Sequence, residues 1–256
     1  MAFSVFFATM YSLGVVGGWL GGKLPSWVHG KQPGLLLAAG LTALAIWPAM
    51  RLRPAPAALS GARIYPRSPF LLRYLIPFAL WHLATGAFNP FSNAYFARLR
   101  FPVDRIGLVF SGSQLTQVIT VLFAPVVLRK AGLVTGIVWM MAATACGLGA
   151  LATQPGSAAI LAFFAYMGFQ WMSEPGLSTL LMNQVEERER GGASALSFLV
   201  AFSAQALAAW GAGSLLARFG YGTVLSGAAA LALAAAGLFQ TLLRAPGRVL
   251  DATARN

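Results

Sequence analysis

The sequence predicts an all-α membrane protein, a polytopic bundle of about eight transmembrane helices. Its 256 residues are 58% hydrophobic and only 9% charged, whereas a soluble domain carries roughly a quarter charged residues. The few charges are also clustered along the chain. A transmembrane helix needs roughly 20 mainly apolar residues, and all but one of the charge-free intervals have about this length: 1–22, 32–50, 74–97, 106–128, 131–173, 191–217 and 219–243.

These intervals predict eight helices, because 131–173 is too long for one span and is interrupted by the sequence TQPGS at 153–157. We number them first to eighth along the chain: 2–22, 33–52, 73–97, 105–128, 132–152, 157–183, 191–217 and 222–243. The Pro-, Ala- and Arg-rich stretch that follows the second helix shows no apolar periodicity and is the expected cytoplasmic linker. The predicted divisions are 1–52, a linker at 53–71, a six-helix unit at 72–244 and a solvated tail at 245–256.

The charge distribution predicts which side of the membrane each end occupies. The net charge of +12 forms no soluble basic patch, so nucleic-acid binding is not expected. With Met1 inside, the cytoplasmic segments hold about twice as many Lys and Arg residues as the outer segments. The positive-inside rule therefore places both termini in the cytoplasm. We expect an integral protein of a bacterial inner membrane, with the lipid bilayer as its surroundings.

The sequence gives no sign of a metal site, a cofactor or an enzyme. Its single cysteine, Cys146, excludes a disulfide framework and a cysteine-rich metal site. The chain also lacks a Gly-rich phosphate loop, an HExxH sequence and paired carboxylates. We therefore expect no catalytic residues, no metal and no cofactor.

Polar interior residues are nearly absent from every third predicted helix. The second, fifth and eighth helices have almost no polar interior residues, whereas the others carry His, Asn, Gln, Ser or Glu. Polar groups in hydrocarbon are costly unless they face a protein interior or water. We therefore expect every third helix to face lipid and the remaining helices to surround a polar cavity.

The third helix predicts one wall of that cavity. His82, Asn89 and Asn93 share a helical face with Gly86, at spacings of four, seven and eleven residues. Pro90 interrupts the backbone hydrogen bonding and is a candidate hinge. Asn89 is a candidate substrate contact, with interhelical hydrogen bonding as the alternative. His82 could titrate near neutral pH and couple protons, or it could be a neutral packed side chain.

Glutamines on two other helices are further candidates for the cavity wall. Gln114 and Gln117 lie three residues apart and do not both point at one spot. Gln117 is favoured because it lies deeper in the membrane. Gln205 lies close to the middle of the seventh helix, where either a ligand contact or a helix–helix hydrogen bond is expected.

The sixth helix carries the carboxylate on which the proton-coupling hypothesis depends. Tyr166, Gln170, Glu174 and Ser178 are spaced by four residues and form one face, and Pro175 is a candidate hinge beside the acid. Glu174 lies roughly 15 Å from the cytoplasmic end at 1.5 Å per residue. A carboxyl group without a cation in a low dielectric favours its protonated form, as a proton carrier requires. The alternative is a permanently neutral or water-facing Glu that only braces the proline kink.

The order of these features resembles the major facilitator superfamily of secondary transporters, from its fifth to its twelfth helix. GGWLGG at 17–22 is similar to the family's glycine-rich antiporter signature, with Gly18 in place of its proline. PVVLRKAGL at 125–133 resembles the basic loop between helices eight and nine, with Arg129 in place of the usual acid. EERERGGASAL at 186–196 and GSLLARFG at 213–220 resemble the two ends of helix eleven.

The resemblance implies a complete C-terminal six-helix half and the last two helices of an N-terminal half. It also implies transport of a small solute by alternating access, with Glu174 and then His82 as candidates for proton coupling. A longer reading frame would supply the missing N-terminal helices, which is the explanation we favour. Alternatively another chain supplies them, or the chain is a non-transporting vestige or subunit that needs a partner.

Overall fold

The computed structural model of the chain describes residues 2–27, 31–51, 68–153 and 156–243. Most of the predicted linker at 53–71 and the predicted tail at 245–256 lie outside these ranges. Two short 3-10 turns occur at Asn89–Phe91 and Glu187–Glu189. The α-helices are α1 (Ala2–Trp27), α2 (Lys31–Leu44), α3 (Ile46–Met50), α4 (Pro69–Gly86), α5 (Ser92–Arg98), α6 (Val103–Ala131), α7 (Leu133–Thr153), α8 (Ala158–Met172), α9 (Glu174–Gln184) and α10 (Arg190–Leu243).

The described residues form helices joined by short turns, and six of the helical stretches are long and apolar enough to cross a membrane. This confirms the predicted all-α class and the presence of helices of membrane-spanning length. This all-helical architecture is typical of an integral membrane protein, because only helices and closed barrels satisfy every backbone polar group within hydrocarbon.

Helix α10 is interrupted at Gly220. Its 54 residues would extend about 80 Å at 1.5 Å per residue, more than twice the roughly 30 Å of a hydrocarbon core. Gly220 has φ 75° and ψ 177°, which are not helical values and which glycine adopts without a steric penalty. We call 190–219 the N-terminal arm of α10 and 221–243 its C-terminal arm. The break lies between the predicted seventh and eighth helices.

Two predicted helices prove to be discontinuous. The third, expected at 73–97, begins earlier as α4, ends at Gly86, passes through the turn at Asn89–Phe91 and resumes as α5. The sixth, expected at 157–183, divides at Ser173 into α8 and α9. Both breaks lie beside the prolines predicted as hinges, Pro90 and Pro175, which have no backbone N–H to donate. At the second break, Ser173 Oγ donates to the carbonyl oxygen of Gln170 at 2.7 Å.

The helices pack mainly in pairs. Helix α4 runs along α10, α1 runs along α6, and α7 contacts both α10 and α8. Fully buried aromatic side chains fill the interior, among them Trp81, Phe96 and Phe163. The ring centroids of Phe96 and Phe163 are 5.1 Å apart in an edge-to-face arrangement, which favours the contact beyond its buried area.

The helices without polar interior residues differ in exposure. Gly34 is the only buried residue of the described stretch 32–50, as expected for a second helix that faces lipid. Helix α7, the predicted fifth, exposes Trp139 but buries an entire face that includes Ile137 and Leu148. It therefore faces outward on one side only, because α8 and α10 cover the other.

Glycines bring α1 against α6. A Cβ atom at Gly14 would lie 2.8 Å from Cδ of Gln114, and one at Gly18 would lie 2.9 Å from Oγ of Ser111. Gly17 has no neighbouring atom within 4 Å of such a Cβ. Gly14 and Gly18 thus form a GxxxG interface, in which small residues let two membrane helices approach closely. Within GGWLGG, the close-packing role belongs to Gly18.

We expect Gly18→Leu to separate α1 from α6 and to lower the free energy of unfolding by about 2 kcal/mol, the cost of overpacking a close contact. The measurement is thermal unfolding of the purified chain in detergent. Gly17→Leu is the matched control, one residue away on the open side of α1. Equal stability of the two variants would contradict this interface.

A candidate ligand cavity

A cavity of about 760 Å³ lies among α1, α4, α9 and the N-terminal arm of α10, with one residue contributed by α8. Its lining runs from Phe6 to Met10 on α1, from Tyr74 to His82 on α4, from Glu174 to Met182 on α9 and from Ser194 to Gln205 on α10.

Helix α4 presents three rings to the cavity at four-residue spacing, namely Tyr74, Phe78 and His82. This spacing places them on one helical face. The ring centroids of Tyr74 and Phe78 are 5.1 Å apart and those of Phe78 and His82 are 4.4 Å apart. Tyr74 also donates its hydroxyl hydrogen to the carbonyl oxygen of Leu177 on α9, at 3.4 Å. This hydrogen bond therefore fixes the row of rings on α4 against α9, which forms the opposite wall.

The N-terminal arm of α10 supplies a second wall, which is mixed in polarity. Ser194, Ser197 and Gln205 line it together with Phe198 and Phe202. Ser197 Oγ donates to the carbonyl oxygen of Ser194 at 2.8 Å. The two phenylalanines remain 60% and 65% exposed, so this wall is apolar where the cavity is most open.

His82 and Gln205 join α4 to α10 at the membrane-centre end of the cavity. Nε2 of Gln205 lies 2.9 Å from Nδ1 of His82. If the amide donates, Nδ1 is the acceptor and Nε2 of a neutral imidazole carries the hydrogen. That Nε2 is buried and makes no hydrogen bond to any described residue. The sequence left two alternatives for Gln205, a helix–helix hydrogen bond or a position in the cavity wall. In the structure Gln205 has both.

Gly86 sets the distance between the helices at this pair. A Cβ atom on Gly86 would lie 2.6 Å from Cα of Gln205 and 3.0 Å from its carbonyl oxygen. These are backbone atoms, which cannot move aside as a flexible side chain would. Gly86 lies one turn beyond His82 on the same face, so this close approach brings the imidazole within reach of the amide.

Glu174 is the acid in the cavity wall, at the first position of α9 and partly buried. Its carboxyl group lies beside the indole of Trp81 and within electrostatic range of the Tyr11 and Tyr74 hydroxyls. The Trp81 N–H does not reach a hydrogen bond of regular geometry. Among the described residues that line the cavity, none is Lys, Arg or Asp. The cavity therefore offers one carboxyl group without a cationic partner.

An aromatic contact ties α1 to the wall beside Glu174. The rings of Tyr11 on α1 and Trp171 on α8 have centroids 5.3 Å apart. Tyr11 is 4% exposed, and Phe6, Phe7 and Met10 of the same helix line the cavity. Helix α1 thus closes the side of the cavity opposite α10.

Four residues predicted for the cavity lie elsewhere. Tyr166 donates its hydroxyl hydrogen to Oδ1 of Asn89 at 2.6 Å, which joins α8 to the turn after α4. Gln117 and Gln170 are buried, at 1% and 3% exposure, and neither lines the cavity described here. Pro90 is exposed within the turn. The face predicted from Tyr166 to Ser178 is divided by the break at Ser173, and only its later members, Glu174 and Ser178, reach the cavity.

The sequence reasoning missed the aromatic character of the lining. It searched for polar groups in apolar helices and so passed over Tyr74, Phe78 and Trp171, as well as Phe198 and Phe202. Their spacing was available as a signal, since Tyr74 and Phe78 precede His82 by eight and four residues. Phe198 and Phe202 likewise lie four residues apart, on a single face of α10.

Comparison with known proteins adds no assignment. A scan against protein-family models gives no match, and a search of curated proteins finds no significant relative.

Proposed function

We propose that the chain is a secondary transporter of the major facilitator type that moves a small solute across the membrane by alternating access. The observation that carries this proposal is a cavity among four helices, with a single acid and no Lys or Arg among the described residues of its wall. Ligand sites in proteins are typically concave, mostly apolar and furnished with a few polar groups. Intramembrane acids that face a cavity mark ion and substrate pathways.

The helix architecture supports the same proposal. In this proposal the six long apolar stretches correspond to eight crossings, with the two arms of α10 counted separately and α8 with α9 counted as one further, broken crossing. Transporter sites near the membrane midplane are typically formed by discontinuous helices. Here one discontinuity lies at Ser173, next to Glu174, and another lies between Gly86 and Ser92. In this proposal Pro175 and Pro90 are the hinges at which these helices bend.

Proton coupling rests on Glu174, with His82 as a second group. A carboxyl group can carry a proton across the low-dielectric region because its neutral form is the less costly one there. It can release that proton when the cavity opens to water. His82, on the α4 wall, is hydrogen-bonded to Gln205 on the α10 wall, and it can exchange a proton only if that bond rearranges.

The test is a proton-flux measurement on the chain reconstituted into liposomes that contain the pH-sensitive dye pyranine. Sugars, amino acids, organic acids and organic amines are added in turn after a pH gradient is imposed. We expect one class to speed the decay of the gradient beyond that in protein-free liposomes. If no class changes the proton flux and none shows counterflow, the transporter proposal fails.

A partner-dependent membrane subunit is the second candidate function. The observation that favours it is the exposure of α2 and α3, where Leu36 and Met50 are 74% and 71% exposed, and of Trp210 on α10, at 80%. Large apolar faces of this kind are covered by lipid or by further helices. Co-purification of a stoichiometric second membrane chain, together with absence of flux, would favour this candidate.

A further inference from the structure

We propose that the cavity binds a hydrophobic organic cation, with Glu174 as its counter-ion. The binding site stands on the cavity itself. The role of this cation as the transported solute rests on the proposed function.

The size and lining of the cavity fit an aromatic or alkylated ligand. Its volume of about 760 Å³ lies within the roughly 300–1,000 Å³ of pockets that take drug-sized molecules. Rings come from three sides: Phe6 and Phe7 on α1, Tyr74 and Phe78 on α4, and Phe198 and Phe202 on α10. A ligand that enters between these helices is surrounded by ring faces and edges.

The charge of the cavity selects the sign of the ligand. Glu174 is the sole formally charged residue among the described residues that line it. An anion would meet a carboxylate with no Lys or Arg to balance it. A cation gains both the carboxylate and the negative faces of the rings, which attract cations within about 6 Å of the ring centroid.

The polar groups are too sparse for a sugar. Besides Glu174, the polar lining consists of Tyr74, His82, Trp171, Gln205 and three serines. Tyr74 and Ser197 already donate to backbone carbonyls, and His82 and Gln205 are bonded to each other. A sugar that lost its hydration in such a cavity would leave many hydroxyl groups without partners, which is costly. A hydrophobic cation carries few groups that need hydrogen bonds.

Binding of such a cation also displaces a proton from Glu174. The neutral carboxyl group releases its proton to bulk water, and the resulting carboxylate pairs with the cation, so the occupied site carries no net charge, as the empty protonated site did. The groups that face this carboxyl are Tyr11 of α1 and Tyr74 and Trp81 of α4, none of which is a cation. His82 is the other titratable group of the lining. Proton and cation therefore compete for one site.

The test uses two ions of matched shape and opposite charge, tetraphenylphosphonium and tetraphenylborate, with the purified chain in neutral detergent. Equilibrium dialysis with radiolabelled tetraphenylphosphonium measures binding. We expect saturable binding that weakens at least tenfold in Glu174→Gln and several-fold in Phe202→Ala. Radiolabelled tetraphenylborate is measured in separate dialysis cells, since the two ions precipitate together, and should show no saturable binding that depends on Glu174.

Two matched controls distinguish binding at this site from non-specific hydrophobic binding. Glu186→Gln removes an exposed acid outside the cavity, and Phe219→Ala removes an exposed phenylalanine on the same helix as Phe202, outside the lining. Both should bind tetraphenylphosphonium as the native chain does. Native binding that also weakens on acidification supports competition with a proton and needs no variant. Equal binding of the two ions, or full binding by a folded Glu174→Gln chain, overturns the proposal.

The outcomes distinguish this inference from the transporter proposal. Glu174-dependent binding without any flux supports the site and rejects transport by this chain. Flux of another solute that tetraphenylphosphonium does not inhibit supports transport and rejects this substrate class.

Discussion

Replacing Gly86 by alanine is expected to lower the free energy of unfolding by roughly 1–3 kcal/mol, the usual cost of overpacking, and to break the hydrogen bond between His82 and Gln205. The added methyl group would lie 2.6 Å from Cα of Gln205, so α4 and α10 must move apart. Unfolding of the purified chain by SDS titration measures the loss. Cross-linking of a His82→Cys, Gln205→Cys pair, with Cys146 replaced by serine, reports the separation.

The control for Gly86 is Gly149→Ala on α7, where an added Cβ would meet no atom within 4 Å. Alanine favours a helix over glycine by about 1 kcal/mol, so this variant should be as stable as the native chain or more so. The two substitutions are chemically identical and are expected to change stability in opposite directions. A Gly86→Ala chain that matched the native stability would show that α4 and α10 are not in fixed contact.

Replacing Glu174 by glutamine is expected to abolish proton-coupled flux while the chain still folds. Glutamine has the shape of the protonated acid and never releases a proton, so the wall can no longer change its charge during the cycle. In liposomes with an imposed pH gradient, the solute class that activates the native chain should produce no proton movement above the protein-free rate. The dependence of solute exchange on pH should also disappear.

Two further variants make this result specific. Glu174→Asp keeps a titratable group on a shorter side chain and should retain part of the coupled flux. Glu186→Gln changes an exposed acid on the loop after α9 and should leave the flux intact. Normal coupling in Glu174→Gln, with native thermal stability, would remove this residue from the mechanism and leave His82 as the remaining candidate.

The sequence was sufficient for the helix class because charge-free intervals of membrane-spanning length leave few alternatives. It also named Glu174, His82 and Gln205 as candidate site residues, and the structure brings all three to one cavity. It did not separate them from Asn89 and Tyr166, which bond to each other instead. Periodicity identifies a shared helical face but not the neighbour that the face meets.

The breaks in two helices show why the remaining details of the candidate site could not be predicted from the sequence. Pro175 was recognised as a bend, yet the earlier residues Tyr166 and Gln170 were placed on the same continuous face as Glu174. Only Ser173 lies between α8 and α9, and it keeps helical dihedrals of φ −75° and ψ −26°, so the break is a local loss of backbone hydrogen bonding. The aromatic lining was missed for a different reason, since a ring in a membrane helix faces lipid, core or cavity with no change in composition. Tertiary contacts decide among these.

The close glycine contacts also have a mechanical consequence. The α4–α10 pair is held backbone to backbone at Gly86, and the α1–α6 pair is held at Gly18. Between the pairs, α1 and α10 meet mainly across the cavity. Each pair should therefore move as a rigid unit, and the two pairs should separate from each other more easily than the helices within a pair. A molecule that enters between the pairs should widen the cavity at a low energetic cost, because the displacement is spread over whole helices and strains neither pair.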